Sequence, residues 1–545
     1  MNQSDGAAAA RIQPNLNLNR RGTNLCWLLL AFVSLVFCID LSHAGQPPNI
    51  VLIMTDDMGY SDLGCFGSEI ETPNIDGLAE KGLRFTQFYN ASRCCPTRAS
   101  LLTGLYAHQT GIGNMMEDRG PAHPGYRGHL SKSCLTIAEV LAPNDYRTIQ
   151  TGKWHLGDKK KEWWPLARGF DRCFGSPAGG GFYFRPSGFR LSRFVVRNHE
   201  VVYTMQKDPP EGWYTTDAYT DEGLAFVREA IEDKKPFFWY CAYNAPHYPL
   251  KAKAEDISKY RGRYQKGWDV IRERRYERLV ELGIIDRSSP LSPREAGIPA
   301  WDTLTDEQKD EQDLRMATYA AMIDCVDQNV GKIVKQLSTL GVLDNTIILF
   351  LHDNGGCDAG GVLGQNKGSG QCGTVDSEAY YGKCWANVSN TPFRKYKSFI
   401  HEGGIATPLV IQWPAGIDSS LQGSLVTTPS HIVDVMATCV DVSGARYPAT
   451  TNDGSILPLE GVSLTPIFKH EELAREQPLF FEHGKCKGVR SGEWKLVAAK
   501  KGPWELYNLT NDRTEQHDLA NDLPKLVEQL EAAYAEWAER CWVEE

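Results

Sequence analysis

The chain has 545 residues, of which 42% are hydrophobic, 23% are charged and 10% are aromatic, and its formal net charge is −10. These proportions are those of a globular protein and exclude a disordered chain, a collagen and a small disulfide-stapled scaffold. The acidic balance argues against a nucleic-acid-binding protein, because such proteins normally present a basic surface to phosphates.

Residues 1–44 have the pattern of a cleavable secretory signal. Arg20 and Arg21 precede an apolar run at 25–39, and Ser42 and Ala44 put small residues just before the predicted cleavage site. A membrane anchor is the alternative, but the run is shorter than the roughly 20 apolar residues that a spanning helix needs. We therefore expect an exported protein, periplasmic or secreted, without a stable membrane anchor.

Three apolar runs, at 49–54, 236–241 and 346–351, predict strands that are buried on both faces. Such runs, rich in β-branched and aromatic residues, are typical of a mostly parallel α/β sheet covered by helices. Each run ends abruptly in a polar cluster. Because ligands bind beyond the carboxyl ends of parallel strands, we expect the three clusters to form one shared site.

Helices are predicted between these strands. Residues 217–232 and 308–340 carry apolar side chains at the three-to-four-residue spacing of a helix face. Residues 257–282 are helix-like but highly charged, and 288–299 are rich in Pro and Ser. We therefore expect 250–310 to be a surface excursion near the site rather than part of the core.

The C-terminal residues predict a small α+β domain with an antiparallel sheet. A hairpin at 489–497 and a strand at 504–507 precede an amphipathic helix at 523–537. The predicted organisation is therefore a signal peptide at 1–44, a large α/β domain at 45–467 and a small domain at 468–545.

Residues 94–104 predict a short helix that begins with a cysteine. Pro96 suits the first helical turn, and Gly104 can end the helix. Cys94 would lie at the helix start, where unpaired N–H groups favour an anion, and Arg98 would lie four residues on, on the same face. Taken alone, this pattern favours a buried cysteine beside a helix cap.

The same segment, Cys94-x-Pro96-x-Arg98, resembles the signature of the formylglycine-dependent sulfatases, and the chain looks most like their bacterial arylsulfatase branch. The resemblance continues in family order through 49–57, 151–157, 244–247, 352–356, 390–404 and 492–509. It implies an alkaline-phosphatase-like sandwich, with a central mostly parallel sheet covered by helices, and a small C-terminal domain. In that family a formylglycine-generating enzyme oxidises the motif cysteine, here Cys94, to 3-oxoalanine (formylglycine), and the hydrated aldehyde attacks sulfur.

By this resemblance Asp56, Asp57, Asp353 and Asn354 match the family's metal ligands, together with the converted Cys94. All-oxygen ligation favours Ca²⁺ or Mg²⁺ over Zn²⁺, and flexible carboxylate-rich loops favour Ca²⁺. Taken singly, either pair is equally typical of a turn or a helix cap.

Five further residues match the groups that bind sulfate and move protons in the family: Arg98, Lys153, His155, His247 and Lys397. The resemblance implies that Lys153 bridges sulfate and formylglycine, and that His155 orients the diol and takes a proton as sulfate leaves. It implies that His247 and Lys397 bind sulfate and help to protonate the departing oxygen. Without the motif context, each histidine is more typical of a surface or packing role.

Two of the 15 cysteines, Cys26 and Cys38, lie in the predicted leader. The remaining thirteen are expected in an oxidising compartment, where disulfides persist. Cys357, Cys372 and Cys384 fall in one Gly-rich stretch and are plausible disulfide partners, although sequence does not give connectivity. Conversion of the motif cysteine would leave an even number of thiols.

We therefore predict an arylsulfatase-like sulfuric ester hydrolase that acts on a small-molecule or carbohydrate sulfate ester. A phosphonate or phosphate ester hydrolase on the same fold is one alternative, because such a site also stabilises a tetrahedral phosphoryl anion. A non-catalytic sulfated-glycan-binding protein, in which Cys94 is never converted, is the other. Aryl, monosaccharide and polysaccharide sulfates all stay open as the natural substrate, and no nucleic-acid partner is expected.

Overall fold

Buried apolar strands form the centre of a mixed sheet, as the sequence predicts. The computed structural model describes residues 46–187 and 193–544, and the predicted signal peptide, 1–44, lies outside these ranges. The strands are, in chain order, β1 (Asn49–Asp56), β2 (Leu83–Tyr89), β3 (Arg147–Lys153), β4 (Arg172–Ser176), β5 (Val195–Arg197), β6 (Glu200–Tyr203), β7 (Phe237–Pro246), β8 (Thr346–His352), β9 (Gln365–Asn366), β10 (Ala379–Tyr380), β11 (Ala406–Gln412), β12 (Ser424–Val426), β13 (Ser430–His431), β14 (Thr450–Thr451), β15 (Gly454–Ser455), β16 (Leu479–His483), β17 (Cys486–Ser491), β18 (Trp494–Ala498) and β19 (Glu505–Asn508).

Helices pack around this sheet, and three helices lie where the apolar spacing at 217–232, 308–340 and 523–537 predicts. In chain order the helices are α1 (Pro73–Glu80), α2 (Cys94–Thr103), α3 (Ile137–Leu141), α4 (Thr215–Glu232), α5 (Ala254–Tyr260), α6 (Trp268–Glu281), α7 (Asp306–Thr339), α8 (Gly382–Ser389), α9 (Glu402–Ile405), α10 (Asp434–Ser443) and α11 (Pro524–Arg540). Within the described ranges, no helix is long and apolar enough to cross a membrane.

Strand β1 lies at the centre of the large sheet, parallel to β7 on one side and to β8 on the other. The strand order is β12-β2-β11-β8-β1-β7-β3-β4-β5-β6, with β13 beside β2. Strand β3 is parallel to β7 and β4, whereas β11 is antiparallel to β2 and β8. The carboxyl ends of β1, β3, β7 and β8 therefore meet at one edge, which is where such sheets bind ligands.

Alternate residues of β1 face two different layers of the core, because successive side chains of a strand point to opposite faces. Val51 and Ile53 belong to a buried cluster that includes side chains of α4 and α7. Leu52 and Met54 belong to a second cluster, which includes side chains of α2, α3 and α10. Helices thus cover both faces of the sheet, and the predicted fold class is confirmed.

The prediction that residues 250–310 form a surface excursion is wrong. The segment contains α5 and α6, which are separated by residues 261–267, and its aromatic side chains enter the core. Trp268 is 1% exposed and meets Trp301 edge-on, with ring centroids 4.8 Å apart, and it also contacts Trp385 of α8. The many charged residues between these aromatic side chains concealed a buried helix face.

The C-terminal residues form an antiparallel sheet, as predicted. Strands β16, β17, β18 and β19 pair in chain order, and the predicted hairpin turns at Gly492, whose φ is 58°. Helix α11 packs on this sheet, with the rings of Phe480 and Trp537 stacked 5.2 Å apart. The limits 45–467 and 468–545 for the two domains stay a prediction.

The interpretation of Cys357, Cys372 and Cys384 as disulfide partners is wrong. All thirteen cysteines in the described ranges are free, and only Cys65 among them is partly exposed. The three candidates lie against different elements: Cys372 contacts Thr318 of α7 at 3.6 Å, Cys384 lies on α8, and Cys357 follows β8. Proximity in a Gly-rich sequence therefore does not bring their sulfur atoms together.

Candidate active site

Four oxygen-bearing side chains lie where β1 and β8 end, as the sequence predicts. Asp56 ends β1, Asp57 follows it with a φ of 66°, and Asp353 and Asn354 follow β8. The backbone N–H of Asp57 donates to Asp353 Oδ1 at 3.2 Å, and Asn354 Nδ2 donates to Asp57 Oδ1 at 2.8 Å. All four side chains are buried, so the parallel register of the two strands builds one oxygen-rich cluster.

Several oxygens of this cluster have no hydrogen-bond partner. They are Asp56 Oδ1, Asp57 Oδ2 and Asn354 Oδ1. Buried polar atoms are rarely left unsatisfied in a native structure, and hard divalent cations take such oxygens as ligands. Ligand atoms of Asp56, Asp57 and His247 lie within 4.8 Å of one another.

Both carboxylate oxygens of Asp353, in contrast, accept hydrogen bonds. Besides the Asp57 N–H on Oδ1, Arg98 donates to Asp353 Oδ2 at 2.9 Å. Burial raises the pKa of Asp353 well above its ordinary value, and the neighbouring Asp56 adds to this rise while Arg98 opposes it. Arg98 therefore fixes Asp353 by charge as well as by hydrogen bonding.

Three predicted cations meet these carboxylates. Lys153 contacts Asp56, and Arg98 NH2 lies 3.4 Å from Asp56 Oδ2. Lys397 contacts Asp57 Oδ1. Burial alone would raise the pKa of Asp56, but Lys153, His247 and Arg98 hold it below its ordinary value, so this carboxylate stays ionised.

Cys94 begins α2, as predicted, and is 2% exposed. The helix ends at Gly104, whose φ of 68° is the left-handed cap that glycine permits. A hydrogen bond from the Cys95 thiol, opposed by burial and assisted by Lys153, holds the pKa of the Cys94 thiol well below its ordinary value. The thiol at position 94 is thus activated by its neighbours.

His155 lies close to Cys94 and Cys95. Its ring and the sulfur atoms of Cys94 and Cys95 have ligand atoms within 4.8 Å of one another. Burial lowers the pKa of His155 to about 4, although Cys94 opposes the change, and its Nδ1 has no hydrogen-bond partner. The imidazole is therefore neutral at physiological pH, with a nitrogen free to take part in proton transfer.

His247 approaches the cluster from the end of β7. Its Nε2 lies 3.5 Å from Asp57 Oδ2, and its Nδ1 lies 2.5 Å from the carbonyl oxygen of Tyr248. Burial lowers its pKa to about 4. Tyr183 is buried and donates its hydroxyl to the carbonyl oxygen of His247.

Two tyrosines of the site were missed by the sequence analysis. Arg98 NH1 donates to Tyr240 Oη at 3.3 Å, and Tyr319 Oη donates to the backbone oxygen of Asp57 at 3.1 Å. A hydroxyl inside the apolar run 236–241 was the available signal for Tyr240. Nothing in the helix pattern of α7 marked Tyr319.

A family model described as Sulfatase matches residues 48–445. The chain belongs to the sulfatase family. A second model, described as N-sulphoglucosamine sulphohydrolase, C-terminal, matches residues 393–539. The family predicted from the cysteine motif is therefore confirmed, and this sulfatase is an enzyme that hydrolyses sulfate esters.

Named relatives agree with this assignment. The sulfatase is 33% identical over 516 residues to an uncharacterized sulfatase of Schizosaccharomyces pombe, covering 89% of this chain and 92% of that protein. It is 34% identical over 442 residues to an arylsulfatase of Klebsiella aerogenes, covering 78% of this chain and 93% of that protein. The solved structure of Ps i-CgsB in complex with k-i-k-neocarrahexaose is 28% identical, with a TM-score of 0.67, and the match covers 92% of this chain and 94% of that chain.

Proposed function

We propose that the sulfatase cleaves its ester through a formylglycine made from Cys94, with Ca²⁺, in preference to Mg²⁺, held by Asp56, Asp57, Asp353 and Asn354. The observation that carries the proposal is the placement of Cys94 at the start of α2, within electrostatic reach of Lys153 and Lys397, whose side chains pair with buried carboxylates at one edge of the sheet. A hydrated formylglycine offers one hydroxyl to attack sulfur and a second to expel sulfate by C–O cleavage.

The partner-free oxygens support the metal part of the proposal. Asp56 Oδ1, Asp57 Oδ2 and Asn354 Oδ1 are buried oxygen atoms of the type that Ca²⁺ and Mg²⁺ take as ligands. When bound, the cation offsets the charge of the sulfate and favours ionisation of a hydroxyl at position 94. Formylglycine at this position would complete the ligand set.

The neighbouring side chains supply charge and proton transfer. Arg98 is held by Asp353, Tyr240 and the carbonyl oxygen of Lys153, so its guanidinium keeps one orientation towards the site. Lys153 and Lys397 place two further cations beside the reacting group, the arrangement that stabilises developing negative charge. We assign sulfate binding to these three residues.

The two histidines are suited to proton transfer. The neutral ring of His155 lies beside position 94 and can take a proton from the diol as sulfate leaves. His247, on the other side of Asp57, is assigned with Lys397 to protonation of the departing alcohol oxygen. Both assignments rest on the placement of the rings and on their family-typical positions.

We propose a sulfated carbohydrate or an aryl sulfate as the substrate. The oligosaccharide complex of Ps i-CgsB supports the carbohydrate class. A formylglycine-generating enzyme is the proposed maturation partner. We also propose export, for which residues 1–44 are the support; N-terminal sequencing of the protein from its host then starts at Gly45.

Matched nitrophenyl sulfate and nitrophenyl phosphate test the proposed chemistry. The wild-type enzyme, made with its maturation partner, is expected to have the higher kcat/KM on the sulfate, and Cys94→Ala is expected to lose turnover. Cys65→Ser is the control, because Cys65 is a partly exposed thiol outside the site. A preference for the phosphate ester, or full turnover by Cys94→Ala, contradicts the proposal.

A further inference from the structure

An arginine beside the reactive cysteine lacks an acidic partner. Arg93 immediately precedes Cys94, and its guanidinium donates from NH1 to Ser398 Oγ at 2.8 Å and from Nε to Met115 Sδ at 3.5 Å. Within residues 46–187 and 193–544, no carboxylate lies within ion-pairing distance of it. The side chain is only partly exposed. Burial acts to lower the pKa of Arg93, but Cys94, Cys357 and Asp57 raise it, so nearby groups favour the charged form although, among the described residues, no carboxylate pairs with the guanidinium.

The other cations of the site differ in this respect. Arg98, Lys153 and Lys397 each contact an aspartate of the oxygen-rich cluster. Their charges are largely balanced before any substrate arrives. Arg93 is therefore the cation that gains most from an added anion, since a guanidinium binds sulfate or carboxylate through two parallel N–H donors.

An aromatic surface leads from the site past this arginine. The ring of Tyr248 stacks on His247, with centroids 4.2 Å apart, and the ring of Tyr380 lies tilted against Tyr248, with centroids 4.5 Å apart. Both tyrosines are partly exposed. Burial raises the pKa of Tyr248, and Arg93 is among the charges that oppose the rise, so the two side chains are within electrostatic reach of each other.

The C-terminal sheet adds a neutral histidine within electrostatic reach of Arg93. His483 ends β16, is 6% exposed, and has no hydrogen-bond partner on Nδ1. Burial lowers its pKa to about 4; Arg93 acts in the same direction, and Cys94 opposes it. A buried ring nitrogen without a hydrogen-bond partner is a second sign of a polar ligand.

We propose that Arg93, with Ser398, Tyr248 and His483 around it, binds a second anionic group, a sulfate or a carboxylate, on the sugar whose sulfate ester is cleaved. This inference rests on the proposed function and narrows its substrate class to sugars that carry two anionic groups. The sugar ring lies on the tyrosine surface, which suits the apolar face of a pyranose. Arg93 acts in recognition, and the cleaved sulfate stays with Arg98, Lys153 and Lys397.

Three substrates with the same scissile sulfate test the inference: a monosulfated sugar, the same sugar with a second sulfate, and the same sugar with a carboxylate. The wild-type kcat/KM is expected to be higher for one of the doubly anionic sugars by about tenfold to a hundredfold, the worth of a hydrogen-bonded charge. Whichever of the two doubly anionic sugars is preferred identifies the second anionic group as a sulfate or as a carboxylate. Arg93→Met is expected to remove the preference, mainly through KM, and Arg93→Lys to restore part of it.

Two further variants make the result unambiguous. His483→Gln is expected to reduce the same preference, and this variant provides the test if Arg93→Met fails to fold. Arg278→Met, at an exposed position of α6, is expected to keep the wild-type preference. A wild-type enzyme with no preference, or a loss in Arg93→Met that is equal on all three sugars, overturns the inference.

Failure of the inference is separable from failure of the proposed chemistry. Nitrophenyl sulfate carries one anionic group, so its Cys94-dependent hydrolysis tests the chemistry alone. If Cys94→Ala is inactive on this ester while the sugar preference is absent, the recognition role of Arg93 is wrong and the formylglycine proposal stands. If turnover does not depend on Cys94, the proposed function fails, whatever Arg93 does.

Discussion

Lys495 and Glu402 form an ion pair that is completely buried, with Nζ and Oε1 2.8 Å apart. Lys495 lies on β18 of the C-terminal sheet, and Glu402 begins α9, five residues after Lys397. Lys495 also lies 2.8 Å from Glu515 Oε1. Because buried charges must be paired, this cluster fixes the C-terminal sheet against the segment that presents Lys397.

Replacing the lysine tests that link. Lys495→Met removes this cation from both glutamates, and although Arg513 Nε stays 3.7 Å from Glu402 Oε2, the free energy of unfolding is expected to fall by about 3–5 kcal/mol. Chemical denaturation measures the change. Lys132→Met is the control, since that lysine is 81% exposed in its pair with Asp453 and is expected to leave stability unchanged. If both substitutions lower the free energy of unfolding by the same amount, the buried cluster does not fix the C-terminal sheet.

Gly179 lies so close to the ring of His155 that a larger residue does not fit there. A Cβ added at Gly179 would lie well under 3.0 Å from His155 Nε2, so the ring or the loop has to move. Gly179→Ala is expected to lower kcat on the order of a hundredfold with little change in thermal stability, because misplacing a reacting group by about 1 Å costs this much. Steady-state kinetics on nitrophenyl sulfate measure the change.

Gly77→Ala is the matched control. Gly77 lies in α1, and an added Cβ meets nothing within 4 Å. Activity is expected to stay at the wild-type level, and stability is expected to rise by up to about 1 kcal/mol, because alanine favours the helix. Wild-type activity in Gly179→Ala argues against a role for His155 orientation.

Metal removal tests the oxygen-rich cluster. Treatment with a chelator is expected to lower both activity and the midpoint of thermal unfolding, and Ca²⁺ is expected to restore both, because a ligand that binds only the folded state stabilises it by mass action. Asp57→Asn is expected to lose the Ca²⁺-dependent rise in the midpoint, whereas Asp306→Asn, at an exposed position, keeps it. A chelated enzyme with full activity and an unchanged midpoint excludes the metal.

Stability at acid pH depends on Glu505. Burial alone would raise its pKa, but hydrogen bonds and charge from His401, Tyr507 and Arg394 lower it to about 2. A folded-state pKa below the ordinary value of 4.5 means that the stabilisation is present above pH 4.5 and is lost as the pH falls towards 2. This group therefore contributes to acid sensitivity of the fold.

Glu505→Gln measures that contribution. At about pH 6 the variant is expected to be less stable than the wild type, and at about pH 3 the difference in unfolding free energy is expected to shrink. Urea denaturation at the two pH values gives both numbers. A difference that grows on acidification contradicts the assignment of the shift to Glu505.

The strands that carry the site were predictable from local sequence. Continuous apolar runs ending at Asp56 and His352 fix both strand type and the edge at which the polar residues lie, so their meeting follows from parallel pairing alone. The motif around Cys94 adds the helix start. Each of these signals is confined to one short stretch of sequence, so no tertiary contact is needed to interpret it.

Other parts depend on packing that local sequence does not encode. The aromatic residues of α6 are separated by charges, and their burial follows from the contact of Trp268 with Trp385, far away in the chain. His483 comes within electrostatic reach of Arg93 and Cys94 only because the C-terminal sheet packs where it does. The pairing of Arg98 with Asp353, and the bond from Arg93 to Ser398 rather than to a carboxylate, are likewise set by residues that are distant in sequence.

The central claim is that the thiol of Cys94 is replaced by an aldehyde in the active enzyme. Trypsin cuts after Arg93 and Arg98 and so releases a peptide with two cysteine positions, 94 and 95. Mass spectrometry of this peptide, after alkylation of protein from the native host, is the most direct test. The account predicts one alkylated cysteine and a formylglycine, whereas two alkylated cysteines in fully active enzyme would contradict it.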